Sequence, residues 1–170
     1  QGNQDRTASY NFTYQNLPNN VTISGTCALG DFIGNIAGET VDFEIRTFNN
    51  TLLDTVQDVP LNASGGYSFT TAITGTFLRI SARGRTWLRR TVSDLALVQN
   101  QSTTANFAMP NGDADQSGEV DAVDIDEVIA HFGEVASDPG FHPNSDLDGS
   151  LEVDAVDIDV AIANFGAVDE

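Results

Sequence analysis

Apolar and polar positions alternate along the first two thirds of the chain and then change rhythm. Residues 8–15 set Ala8, Tyr10, Phe12 and Tyr14 against Ser9, Asn11, Thr13 and Gln15, the period-two pattern of a half-buried strand. Leu17-Pro18-Asn19-Asn20 ends that run. The same reading predicts strands over residues 21–28, 40–48, 52–58, 66–71, 76–83, 87–92 and 103–109. The stretch 40–48 is the clearest, with Val41, Phe43 and Ile45 on one side and Asp42, Glu44 and Arg46 on the other. Many short strands separated by glycines and Asn-rich turns predict a mainly β fold, a β-sandwich. Met109-Pro110-Asn111-Gly112 then reads as a joint. It divides the chain into an N-terminal extra strand (1–18), a sandwich (19–110) and a C-terminal module (111–170).

In that module the period becomes helical, and one phrase is written twice. Residues 119–133 read EVDAVDIDEVIAHFG and residues 152–166 read EVDAVDIDVAIANFG, an offset of 33 with 12 of 15 positions identical. Ile125, Val128, Ile129 and Phe132, and again Ile158, Ala161, Ile162 and Phe165, follow the i, i+3, i+4, i+7 spacing of one helix face. Gly133 and Gly166 stand where a C-terminal cap belongs.

An Asp-x-Asp pair precedes each predicted helix, which makes each repeat an acidic loop followed by a helix. Calcium takes six to eight hard oxygens, and a twelve-residue loop supplies them from positions 1, 3, 5, 7, 9 and 12. The first loop offers Asp113, Asp115, Ser117, the carbonyl of Glu119, Asp121 and Asp124. The second offers Asp146, Asp148, Ser150, the carbonyl of Glu152, Asp154 and Asp157. Two Ca2+ are therefore the expected cofactors. Gly118 fills position 6, where the backbone turns sharply; the second loop has Leu151 there and a glycine at position 4, Gly149. Val120 and Val153, at position 8, are placed to pair the loops across a pseudo-twofold axis.

Charge sharpens this reading. Residues 111–170 hold 17 of the 25 acidic side chains and no basic one, and all seven cations of the chain are arginines. Such a density repels itself unless cations neutralise it, and it argues against nucleic acid as a partner. No apolar run approaches the ~20 residues of a membrane helix.

The loops resemble the dockerin type I family: Asp at position 12, one helix, a linker and a second copy, over about residues 111–166. The resemblance implies paired EF-hand-like calcium loops and docking onto a cohesin near loop positions 10 and 11. Those positions here are Ala122, Val123, Ala155 and Val156, without a hydroxyl or basic pair. The phrases SGTCALGDF, LNASGGYSFT and GTFLRISARG resemble carboxypeptidase regulatory-like (Cna-B or prealbumin-like) sandwiches over about residues 21–109. Some of those carry a Lys–Asn isopeptide bond, which a chain without lysine cannot form.

The remaining chemistry is sparse. Arg79, Arg83, Arg85, Arg89 and Arg90 cluster within twelve residues: a solvated strand face, or a docking surface for an acidic module of this or a neighbouring chain. Trp87 inside the cluster reads as a core or interface aromatic before a sugar platform. Cys27 alone forms no intrachain disulfide and reads as a small core residue. His131 on the helix and His142 in the linker have no catalytic partner, and no nucleophile–base pair, phosphate-binding glycine loop or zinc spacing occurs. Asn11, Asn20, Asn49, Asn62 and Asn100 open Asn-x-Ser/Thr triplets that permit glycans. The chain opens on Gln1, as a mature secreted protein does after signal removal. The expectation is a secreted, non-enzymatic calcium-binding structural protein. It would self-associate as a filament subunit through donation of its N-terminal strand and sandwich-to-repeat contacts. The alternatives are an anchoring module that binds a cohesin and, more weakly, a carbohydrate adhesion module.

Overall fold

The computed structural model describes residues 20–170, so the strand expected at 8–15 lies outside the described residues. The alternating stretches form eight strands: β1 (Val21–Leu29), β2 (Thr40–Arg46), β3 (Leu52–Pro60), β4 (Gly66–Thr71), β5 (Gly75–Arg83), β6 (Arg90–Leu97), β7 (Ser102–Thr104) and β8 (Phe107–Met109). Two helices follow, α1 (Ala122–Ala130) and α2 (Ala155–Ala163). One sheet runs β4-β1-β7, with β8 also on β1, and the other runs β3-β2-β5-β6. Their inward residues make one core, in which Phe43 meets Tyr67, Phe69 and Phe107 at ring-centroid distances of 4.4, 4.9 and 5.9 Å. Each such ring is worth roughly 1.5–3 kcal/mol relative to exposure. Tyr67 meets its polar obligation by donating to the Ala105 carbonyl at 2.7 Å. Cys27 sits in this core as expected, its thiol pushed up to about 12 by burial.

Two predicted strands are redrawn. The stretch 87–92 begins its strand only at Arg90, because Trp87 and Leu88 spend their backbone on the joint: Leu88 N–H donates to Pro110 O at 2.9 Å, and Trp87 bridges Asn111. The stretch 103–109 splits into β7 and β8, both parallel to β1. At the break Ala105 O approaches so closely that a Cβ on Gly25 would lie 1.8 Å from it, and Asn106 Oδ1 takes the Thr26 N–H at 2.9 Å. A side chain there replaces a rung of the ladder.

The joint itself is pinned. Gly112 and Asp113 donate to Thr86 O at 3.1 and 3.0 Å, and the buried Asn111 amide donates to Leu147 O at 2.6 Å. Beyond it a second, smaller core gathers Ala114, Val128, Leu147, Val153, Val160 and Ala161. The helix faces expected to be buried are covered only in part. Val128 and Ala161 are buried and Ile125 and Ile158 pack beside them, but Ile129, Phe132, Ile162 and Phe165 are exposed. A nine-residue helix with a single helical neighbour buries a narrow stripe.

The pseudo-twofold pairing takes a different form from the expected one. Val120 and Val153 do not pair with each other; each pairs with the segment that follows the other repeat's helix. Val120 N–H donates to Ala167 O and Val120 O accepts from Gly166 N–H, both at 2.8 Å; Val153 N–H donates to Glu134 O and Val153 O accepts from Gly133 N–H, again at 2.8 Å. The four bonds repeat with the same offset of 33 residues as the sequence.

Candidate metal centres and the faces around them

Each loop draws three carboxylates together. Asp113, Asp115 and Asp124 bring one oxygen apiece within 4.8 Å of one another, and so do Asp146, Asp148 and Asp157. The position-12 aspartates do the folding work. Asp124 accepts Asp115 N–H at 3.1 Å and Asp121 N–H at 2.8 Å, while Asp157 accepts Leu147, Asp148 and Asp154 N–H at 2.6, 3.1 and 2.8 Å. One residue thereby ties the start of its loop to the start of its helix.

The other expected ligands are placed less directly. Asp121 and Asp154 are N-caps, accepting from Val123 and Val156 N–H at 2.7 Å. That capping bond satisfies one of the free amides of a helix start. Ser117 and Ser150 donate to the carbonyls of Glu119 and Glu152 at 3.2 and 3.1 Å, so positions 5 and 7 sit together on the rim of each loop. Both loops use left-handed backbone at positions 4 and 6. Gln116 (φ 64°) and Gly118 (φ 92°) serve in the first, Gly149 (φ 74°) and Leu151 (φ 74°) in the second. The glycine has changed places, and the turn has not.

The donor set fits a hard cation. All candidate atoms are oxygens, and Asp113, Asp124, Asp146, Asp148 and Asp157 are each at most 5% exposed. Burial holds the carboxyls of Asp113, Asp124, Asp146 and Asp157 above the usual range, and neighbouring carboxylates push the same way. Among the described residues, no basic side chain forms a salt bridge with Asp146, Asp148 or Asp157. Buried like charges without a partner are costly. A calcium-class ion would be held here by the three carboxylates of each loop, with Ser and carbonyl oxygens at hand.

The first loop has a partner that the sequence did not reveal. Arg83 donates to Asp113 Oδ2 at 2.8 Å and to Gln116 O at 2.7 Å. Three more arginines of the cluster also turn onto the acidic module of their own chain: Arg89 lies 3.5 Å from Asp169, as Arg83 does at 3.8 Å, Arg90 lies 3.7 Å from Glu170, and Arg85 bonds Pro143 O. Of the two readings of that cluster, docking onto the chain's own acidic module is the one observed. The second loop meets the sandwich elsewhere. Ile33 N–H donates to Asp148 O at 2.8 Å, Asn164 donates to Asp31 at 2.9 Å, and the Phe32 ring lies over Gly149. Phe32 in turn packs edge-on against Trp87 at 5.1 Å. Trp87 is fully buried and donates to Gly30 O at 3.1 Å, so it offers no face to a sugar.

No protein-family model and no curated protein matches the chain. Solved structures do. A chain of a type II cohesin–X-dockerin complex from Acetivibrio cellulolyticus, with an N-terminal interface mutant, shares the fold at a TM-score of 0.66 and 18% identity. The corresponding complex with a C-terminal interface mutant gives 0.68 and 17%. Each match covers 87% of this chain and 97% of the other. At that identity the likeness is one of fold. Each match extends beyond the sandwich, because residues 20–110 are little more than half of the sequence.

Two surfaces remain. The repeats leave the same positions exposed: Val123 and Ile129 on α1 with Phe132 in the turn after it, and Val156 and Ile162 on α2 with Phe165 in the turn after it, Phe132 being 56% and Phe165 59% exposed. A polar cleft of about 560 Å3 beside the first loop is lined by Glu39, Asp42, Asp58, Arg83 and Arg85 among others, without a nucleophile–base pair. No helix among the described residues is long and apolar enough to cross a membrane. Asn20, Asn49, Asn62 and Asn100 are all exposed, and Asn11 lies outside the described residues.

Proposed function

We propose that this chain is a secreted, non-catalytic module, stiffened by two Ca2+, that docks onto another protein through the apolar residues its twin helices leave in solvent. The carrying observation is the matched exposure of Phe132 and Phe165 with their neighbours. Three large apolar side chains at equivalent positions in each repeat stand exposed without covering partners among the described residues, and exposed apolar patches mark contact sites. The shared fold supports a specific occupant. The matched structures are cohesin–X-dockerin complexes, and each match covers 87% of this chain, which supports a protein-docking role. The partner is then a cohesin-class β-sandwich. Calcium loops of this kind are filled where calcium is millimolar, outside the cell.

Calorimetry with a panel of type II cohesin domains tests the reading. Binding is expected in calcium, lost in chelator, and lost in a Phe132→Ser, Phe165→Ser double variant that still binds calcium. Binding that survives the double variant contradicts the assigned face, and no binding across the panel contradicts the partner class.

Self-association as a filament subunit is the second reading. β4, β3 and β6 stand at ends of the strand orders among the described residues, and an edge strand can take a further strand by augmentation. Phe48 and Phe77, 75% and 65% exposed, lie past the Arg46–Arg79 end of the β2–β5 pair. The alternating segment at 8–15 would supply the donor strand. The sandwich-to-module contacts are already spent within one chain, so donation would have to carry the assembly. Sedimentation separates the readings: a polymer for the full chain and a monomer for one lacking residues 1–17 favours the filament.

A further inference from the structure

The stretch that joins the two repeats gathers both histidines of the sequence onto one carboxylate. His131, at the C-terminal cap of α1, places Nδ1 2.9 Å from Glu134 Oε1, and His142 Nδ1 lies 3.5 Å from Glu134 Oε2. The two rings face each other with centroids 3.5 Å apart. A donor atom from each of the three residues lies within 4.8 Å of the others. The sequence shows no catalytic partner for either histidine; the fold of the linker brings these two residues, 11 positions apart in sequence, together. That fold is held by its backbone: Glu134 Oε2 accepts His142 N–H at 2.9 Å, and Ser145 N–H donates to His142 O at 3.0 Å.

We infer that His131, Glu134 and His142 form a third metal site, suited to a zinc-class ion and not to calcium. Two imidazole nitrogens and a carboxylate oxygen are a common zinc donor set, with a fourth position left to water. Tetrahedral bonds of about 2.0–2.1 Å set neighbouring donor atoms roughly 3.3 Å apart; the two Nδ1 atoms lie 2.9 and 3.5 Å from different oxygens of Glu134, so the rings, with centroids now 3.5 Å apart, would turn apart to meet one ion. Glu127 Oε1, 3.4 Å from His131 Nε2, completes the arrangement. A carboxylate there keeps the proton on Nε2 and leaves the Nδ1 lone pair for the ion. Calcium, which needs six or more hard oxygens, finds too few.

The cluster stands apart from the duplicated design. Thirty-three residues on, Asn164 and Ala167 occupy the places of His131 and Glu134, so the oxygen cages were repeated and this site was not. An ion bound there clasps the end of α1 to the linker. The inference does not depend on the docking reading.

The test uses the untagged full chain, saturated with calcium and titrated with Zn2+ against a chromophoric chelator. With two histidines in the sequence and the Cys27 thiol buried, histidine-dependent zinc binding reports this cluster. One equivalent of Zn2+ is expected. His142→Ala, at a ring about half exposed and so without cost to folding, should weaken it at least tenfold, and Glu134→Gln should weaken it in the same sense. No zinc uptake by the calcium-saturated chain, or uptake unchanged in His142→Ala, overturns the site.

Discussion

Leu151 is held left-handed in a loop whose twin has glycine at the same step. A bulky residue in that region costs about 1–2 kcal/mol, and Leu151 recovers little by packing, since it is 63% exposed. Its N–H nevertheless donates to Asp146 at 3.0 Å, so the strain aims an amide at a buried carboxylate. Leu151→Gly removes the strain at a backbone-entropy cost of about 0.5–1 kcal/mol. A net gain of up to about 1 kcal/mol in stability is expected from chemical denaturation.

The buried aspartates make a second prediction at this scale. Their carboxyls lie above the usual range in the ion-free fold, because burial and then neighbouring carboxylates disfavour the charge. Between the unfolded value of about 3.9 and the raised folded values, the native state holds more protons than the unfolded one. The ion-free module therefore loses stability as pH rises through that window. Calcium binding runs the other way, because it needs the ionised carboxylates. Calcium affinity should fall on acidification while the thermal stability of the chelated protein rises, both followed by melting curves across pH. A chelated protein that becomes less stable from pH 6 to 4 contradicts the assignment of the shifted groups.

At the scale of elements, the contact between sandwich and second loop hangs on a close approach. A Cβ on Gly149 would lie 2.2 Å from the Phe32 ring, and φ is positive there as well. Gly149→Ala should cost about 1–3 kcal/mol through overpacking, read as a lowered denaturation midpoint. The effect should shrink when Phe32 is replaced by leucine, which makes room. Much of this level was legible in the sequence. The alternation of Val41, Phe43 and Ile45 gave β2 its inward face, and the duplicated phrase gave both loops and both helices. What escaped depends on packing between distant segments. The period of α1 shows an apolar face but not how much of it a partner covers, so Ile129 and Phe132 were expected inside and lie outside. Strand 103–109 breaks because a side chain of Asn106 and the bare backbone of Gly25 meet across 81 residues, which periodicity does not register. Phe32 and Arg83 carried no local signal of their role; the crowding of arginines in 79–90 was the nearest hint.

Across the described residues, a nearly neutral sandwich is packed against a strongly acidic module. The arginines of the former hold Asp113, Asp169 and Glu170 of the latter, and buried Asn111 and Trp87 fix the joint. These ion pairs are partly exposed, so each is worth little by itself; their effect is to orient one module on the other. Among the described residues no basic side chain forms a salt bridge in the second cage, and Arg83 reaches only the first. Apart from Asp113, the carboxylates of the two clusters have no salt-bridge partner among the described residues, and we propose that ions from solution neutralise them.

Isothermal titration of the chelator-stripped full chain with Ca2+ tests this most directly. The expected result is two bound ions, with Asp124→Ala and Asp157→Ala each removing one. No heat of binding, or a stripped chain that melts at the same temperature with and without calcium, would contradict it.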